Sequence, residues 1–99
     1  MMGYKAVGHV LKHTRAEGAA WRVVLVLAHH AGDETNECWP RRDLIATEAR
    51  ITARAVKYAV RSLVELGELT VVEHGAPVNG PRQYRPNLYT LCGPNSGER

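Results

Sequence analysis

Between Ala19 and Ala28 the only polar side chain is that of Arg22. A helix over this run is apolar on nearly every side, and such a helix must be covered from more than one direction. Either the rest of the chain wraps it or a second subunit does. The run is well short of the ~18 apolar residues that a membrane span needs, so it reads as the core of a globule. Thr14 stands three residues before Glu17, a capping-box spacing, and Gly32 follows the apolar run. These signals predict a helix over roughly 15–31 with Gly32 at its C-cap, then a polar turn over Asp33–Asn36.

The full chain of 99 residues has room for one domain, not for a cofactor domain and a substrate domain together. Phe is absent and rings come only from two Trp and four Tyr, so Ala and Val must fill most of the core. Small side chains of this kind suit close helix–helix approach. Val7, Val10 and Leu11 predict a short first helix over 4–12, interrupted by Gly8. Glu37-Cys38-Trp39 reads as one β-rung, which Pro40 stops. Ile45, Ala46 and Ala49 mark a helix over 41–49, and Thr52 is a good N-cap for the next. In 53–66 the apolar positions Val56, Ala59, Val60, Leu63 and Leu66 are spaced 3, 1, 3 and 3 apart, as on one face of a helix; Gly67 ends it. Leu69–His74 reads as a strand, 75–86 as a Gly/Pro-rich loop, and 88–91 as a returning strand. The domain is expected over 4–92, with 93–99 a flexible tail.

The formal charge is +3, a weak basic bias that matters only if the charges cluster. They do. Over 40–62, Arg41, Arg42, Arg50, Arg54, Lys57 and Arg61 face only Asp43 and Glu48, a balance of +4. With the core positions of 53–66 removed, Ala53, Arg54, Lys57, Tyr58 and Arg61 share the other side, without an acid. Cations near a helix N-terminus oppose the macrodipole, at about 0.3–1 kcal/mol each. That disadvantage is expected where the face has a task, and phosphate binding is the obvious one. Ala53 and Ala55 would let the helix approach a groove floor. Arg54 or Lys57 could then reach guanine edges, with Tyr58 and Arg61 on backbone phosphate. The plain alternative is a solvated face. The 75–86 loop also lacks an acid and carries Arg82, Gln83 and Arg85, with Asn79 and Tyr84. It suits a sugar-phosphate strand or a minor groove, or it is an ordinary exposed turn.

Other chemistry finds little support. His29, His30, Cys38, His74 and Cys92 show no Cys-x2-Cys or His-x3–5-His spacing among themselves. Cys38 and Cys92 read as reduced structural thiols. No Ser-His-Asp arrangement, phosphate loop or paired carboxylates in an apolar setting suggests an enzyme. No cofactor, metal, small-molecule ligand or membrane contact is expected. With no visible signal peptide, a cytoplasmic protein is expected.

Cys38-Trp39-Pro40, Ile45-Ala46, Ile51-Thr52, Val56, Ala59-Val60, Leu63, Glu65-Leu66-Gly67-Glu68-Leu69 and Asn87-Leu88-Tyr89-Thr90-Leu91 carry a resemblance over roughly 15–92. The chain resembles the winged helix-turn-helix DNA-binding domains, most closely the small helix-turn-helix proteins of actinobacteria, their plasmids and their phages. The resemblance implies that 41–49 is the supporting helix, 53–66 the recognition helix and 75–86 the wing. It depends on fold-bearing residues and does not specify a target site. Three positions depart from the family pattern. Arg50 stands where Gly is frequent in the turn, and an arginine with positive φ costs of order 1 kcal/mol there. Arg41 replaces the usual capping Ser, and Ala55 stands where Thr is common.

The combined expectation is a mainly α fold with a small β-sheet (α+β), a winged helix-turn-helix. It would bind double-stranded DNA sequence-selectively through Arg41, Arg42, Arg50, Thr52, Ala53, Arg54, Lys57, Tyr58, Arg61, Arg82, Gln83 and Arg85, in transcriptional regulation. A homodimer through residues 4–31 would raise the affinity of so small a domain. The competing expectations are a protein-interaction adaptor, with Trp21 and Arg22 at its interface, or a replication or recombination accessory of a mobile element.

Overall fold

The computed structural model describes residues 4–32 and 35–92, with residues 4–6 as backbone alone. The elements run α1 (Tyr4–His13), α2 (Ala19–His30), β1 (Glu37–Cys38), α3 (Arg42–Ala49), α4 (Ala53–Glu65), β2 (Leu69–Val72) and β3 (Leu88–Leu91). A single 3-10 turn at Arg82–Tyr84 interrupts the loop before β3. This is the mixed α+β architecture expected, mainly helical with a small antiparallel sheet. Residues 1–3, the expected tail at 93–99, and Asp33 and Glu34 of the expected turn lie outside the described residues.

Most of the apolar run is covered by its own chain, while Trp21 stays exposed and Leu25 and Val26 are half-buried. Helices α1, α3 and α4 and the sheet all pack against α2, and Val23, Val24, Leu27 and Ala28 are sealed from solvent. Val56, Ala59 and Leu63 of α4 point into the same core as Ile45 and Ala49 of α3. Val60 and Leu66 are only partly covered. Truncating a sealed residue such as Leu63 to Ala would cost about 2–5 kcal/mol. The two-residue period of the strands places Tyr89 and Leu91 of β3 inward with Leu69 of β2. Sheet order is β1-β3-β2, all antiparallel. Thr90 stands opposite both Glu37 and Thr70.

Helices α3 and α4 end alike. The Arg50 N–H donates to Thr47 O and the Ile51 N–H to Ala46 O; the Gly67 N–H donates to Val64 O and the Glu68 N–H to Leu63 O. Each pair is a Schellman closure around a left-handed residue. At Gly67 (φ 79) glycine supplies that conformation freely, whereas at Arg50 (φ 61) a side chain must bear it. The turn between the two helices therefore keeps its left-handed shape without glycine.

Three local expectations are corrected. Thr14 and Glu17 form no capping box: α2 begins at Ala19 behind Gly18, whose φ is 61. The Thr14 hydroxyl donates to the Glu68 carboxylate, and its oxygen accepts from the Ala16 N–H, ahead of the helix. Gly32 does not cap the helix C-terminus; Ala31 does, in extended conformation, because the Gly32 N–H pairs with Glu37 O at the start of the sheet. Strand β2 stops at Val72 rather than reaching His74. There the chain turns through His74 (φ 55), and the Gly75 N–H closes on Val72 O.

Asn36 (φ 59) is fully buried. Its N–H donates to Gly32 O and its carbonyl accepts from the Leu91 N–H, while its side-chain amide has no hydrogen-bond partner among the described residues. Among the described residues no helix is long and apolar enough to cross a membrane.

Candidate nucleic-acid interface

Thr52 sets the start of α4. It is extended, and its Oγ1 accepts from the Ala55 N–H at 3.0 Å. With this cap and the buried positions fixed, Ala53, Arg54, Lys57, Tyr58 and Arg61 are all left exposed. The guanidinium carbons of Arg54 and Arg61 each lie 5.8 Å from the centroid of the Tyr58 ring, within cation–π range. The ion pairs among the described residues are Arg15–Glu68 and His30–Glu48. Neither involves α4, so the positive stripe of Arg54, Lys57 and Arg61 is not paired with any described carboxylate. Both acids of the 40–62 stretch are engaged away from it. Asp43 Oδ1 accepts from the Leu44 N–H, and Glu48 Oε1 accepts from His30 Nε2 at 2.6 Å.

Arg41 caps α3 through its extended backbone, with no side-chain bond to the helix. It and Arg42 line a depression of about 150 Å³ with Pro40, Pro86, Asn87 and Tyr89, so the start of α3 meets the base of the loop. Burial pushes the Tyr89 phenol up from 10.0, opposed by a hydrogen bond with Asn87 and by the Arg42 charge.

The loop from Glu73 to Asn87 is held by its own polar groups. The His74 N–H donates to Asn87 Oδ1, and His74 Nδ1 lies 2.8 Å from Arg85 O. A carbonyl only accepts, so Nδ1 carries the proton. The Ala76 N–H donates to Pro86 O across the loop, and Ala76 is buried. Arg85 Nε donates to Gly80 O at 3.0 Å, while Arg82 reaches Glu73 O at 3.5 Å. Arg82 is exposed, whereas Arg85 is half-buried and braces the loop from within. Gln83 is exposed beside Tyr84, whose ring is 69% exposed.

Arg50 stands apart from these groups. It lines an open groove of about 640 Å³ between α2 and α3, with Trp21, Arg22, Leu25, Val26 and His29. Among the described side chains of residues 7–31, this groove and Leu11 are the main exposed apolar surface. Val23, Val24 and Leu27 are sealed and could not meet a second copy.

Cys38 is buried and its Sγ donates to Leu27 O at 3.5 Å. Burial pushes its thiol up to about 12. Both cysteines are free thiols, with Cys92 exposed. His9 and His13 carry a His-x3-His spacing on α1, and their rings stand 4.6 Å apart. Yet no three His, Cys, Asp or Glu side chains among the described residues are grouped to hold a metal ion.

No protein-family model, curated protein or solved structure matches this chain.

Proposed function

We propose that the chain is a winged helix-turn-helix domain that binds double-stranded DNA sequence-selectively, with α4 as the recognition helix and the 73–87 loop as the wing. The observation that carries this reading is the exposed stripe of Arg54, Lys57 and Arg61, unpaired by any described carboxylate, on a helix entered through a tight left-handed turn. A face evolved only for solvation would be expected to intersperse acids, since like charges four residues apart repel. In this reading the first half of α4 enters the major groove, small Ala53 allows close approach, and Arg54 or Lys57 reaches base edges. The depression shared by Arg41, Arg42 and the loop base suits a flanking phosphate. Arg82 and Gln83 at the exposed side of the loop suit the adjacent strand.

The biological role that follows is transcriptional regulation by a cytoplasmic protein, with a replication or recombination accessory as the alternative on the same chemistry. A homodimer through the Trp21 groove would supply the second half-site. The same groove favours an adaptor, which would bind a protein there and leave the cationic stripe idle.

Selection of bound duplexes from a random DNA pool at physiological salt tests the proposal. An enriched motif is expected, and Arg54→Ala or Lys57→Ala should weaken binding to it by about 1–3 kcal/mol if that residue makes a bidentate base contact. Failure to enrich any motif, or affinity unchanged in both variants, would remove α4 as the recognition helix.

A further inference from the structure

The centre of the cationic stripe is occupied by a ring rather than a charge. Tyr58 lies one helical turn after Arg54 and one before Arg61, the i+4 and i+3 spacings that bring side chains together on a helix. Both guanidinium carbons stand 5.8 Å from its centroid, and the ring itself is half exposed. The two cations can therefore be no farther apart than twice that distance, although they repel. Free arginine side chains on an exposed helix would spread over many rotamers and lose that freedom on binding. Lys57, on the same face, has no such contact among the described residues.

We infer that Tyr58 is a positioning residue that holds Arg54 and Arg61 through its ring, presetting two cations for a polyanion before contact. This rests on the DNA-binding reading and adds a division of labour to it. The ring face does the work, not the phenolic hydroxyl, and Tyr58 need not touch DNA. Preorganisation of this kind raises affinity by reducing the ordering lost on binding. It leaves the number of neutralised phosphates unchanged, and that number sets the salt dependence.

Two variants separate the ring from the hydroxyl: Tyr58→Phe keeps the ring and Tyr58→Leu removes it. Binding is measured by fluorescence anisotropy across a salt series, on a duplex enriched from a random pool by the parent protein. Tyr58→Phe is expected within about twofold of the parent, and Tyr58→Leu about five- to tenfold weaker with an unchanged log–log salt slope. A loss in Tyr58→Phe as large as in Tyr58→Leu would assign the effect to the hydroxyl and overturn the inference. So would full affinity in Tyr58→Leu. A second readout uses the free protein. The side-chain Nε–H resonances of Arg54 and Arg61 should be displaced by ring current in the parent and in Tyr58→Phe, and should collapse to ordinary positions in Tyr58→Leu. Ordinary positions in the parent would sink the inference with or without DNA. Absence of DNA binding by the parent would instead overturn the proposed function, and the resonances would still decide the ring contact.

Discussion

The Thr14 hydroxyl donates to Glu68 Oε1 at 2.5 Å, across 54 positions of sequence. The other carboxylate oxygen accepts from the Arg15 N–H at 2.8 Å, and the Arg15 guanidinium donates to Leu66 O. The segment between α1 and α2 is thereby fastened to the end of α4. Glu68→Gln removes the charge and replaces one of two accepting oxygens at a mostly covered group with an NH2, so one hydrogen bond must be lost or reverse at Thr14. It should lower unfolding free energy in urea by about 1–2 kcal/mol. DNA affinity should stay within twofold, because Glu68 lies away from the α4 stripe.

Arg50 bears a left-handed conformation that glycine adopts freely. Arg50→Gly should raise stability by about 0.5–1 kcal/mol, whereas Arg50→Ala, which keeps the Cβ, should not. Urea titration of the three proteins checks the ordering. Equal stabilisation by Ala would locate the strain in the long side chain rather than in the backbone.

Burial holds the Cys38 thiol neutral up to about pH 12, against an ordinary value of 9.0. The raised value means that its contribution to stability is intact below pH 9 and is lost as the pH climbs towards 12. In that window stability should fall by about 1.4 kcal/mol per pH unit from this group, and Tyr89 adds in the same direction above 10. Chemical denaturation at pH 8, 9 and 10 would show the slope. Cys38→Ala should be less stable at pH 8 but flatter with pH. In the native protein a thiol reagent should modify Cys92 rapidly and Cys38 only on unfolding.

Arg82 and Arg85 should behave differently although both lie in the 73–87 loop. Arg82→Ala should reduce the salt slope of DNA binding by about one unit if it neutralises one phosphate. Arg85→Ala removes the bond to Gly80 O. It should loosen the loop, seen as faster amide exchange at Ala76 and Tyr84. An unchanged salt slope in Arg82→Ala would detach the loop from DNA.

Much of this was legible where cause and effect lie within one helical turn. The Thr52 cap, the buried face of α4 and the exposed Arg54–Lys57–Arg61 stripe all follow from spacings of three or four residues. What the chain concealed depends on distant partners. Thr14 looked like a cap for its neighbours because Glu68 is remote in sequence. His74 looked like strand because the Asn87 side chain that claims its N–H lies across a loop. Arg85 looked free because its acceptor, Gly80 O, is a backbone group that only the folded loop presents. The Tyr58 contacts are an exception. Their spacing was visible, but a ring between two arginines was read as a phosphate contact rather than as their support.

Strand β3 separates β1 from β2, which never touch. Until residues 88–91 arrive, each of those neighbours is a bare ribbon with unclaimed backbone groups. The helices can assemble around α2 from contacts already synthesised, whereas the sheet waits for its last member. A chain cut just before Leu88 would therefore keep its helical bundle unclasped, with the loop that β3 anchors swinging from one end.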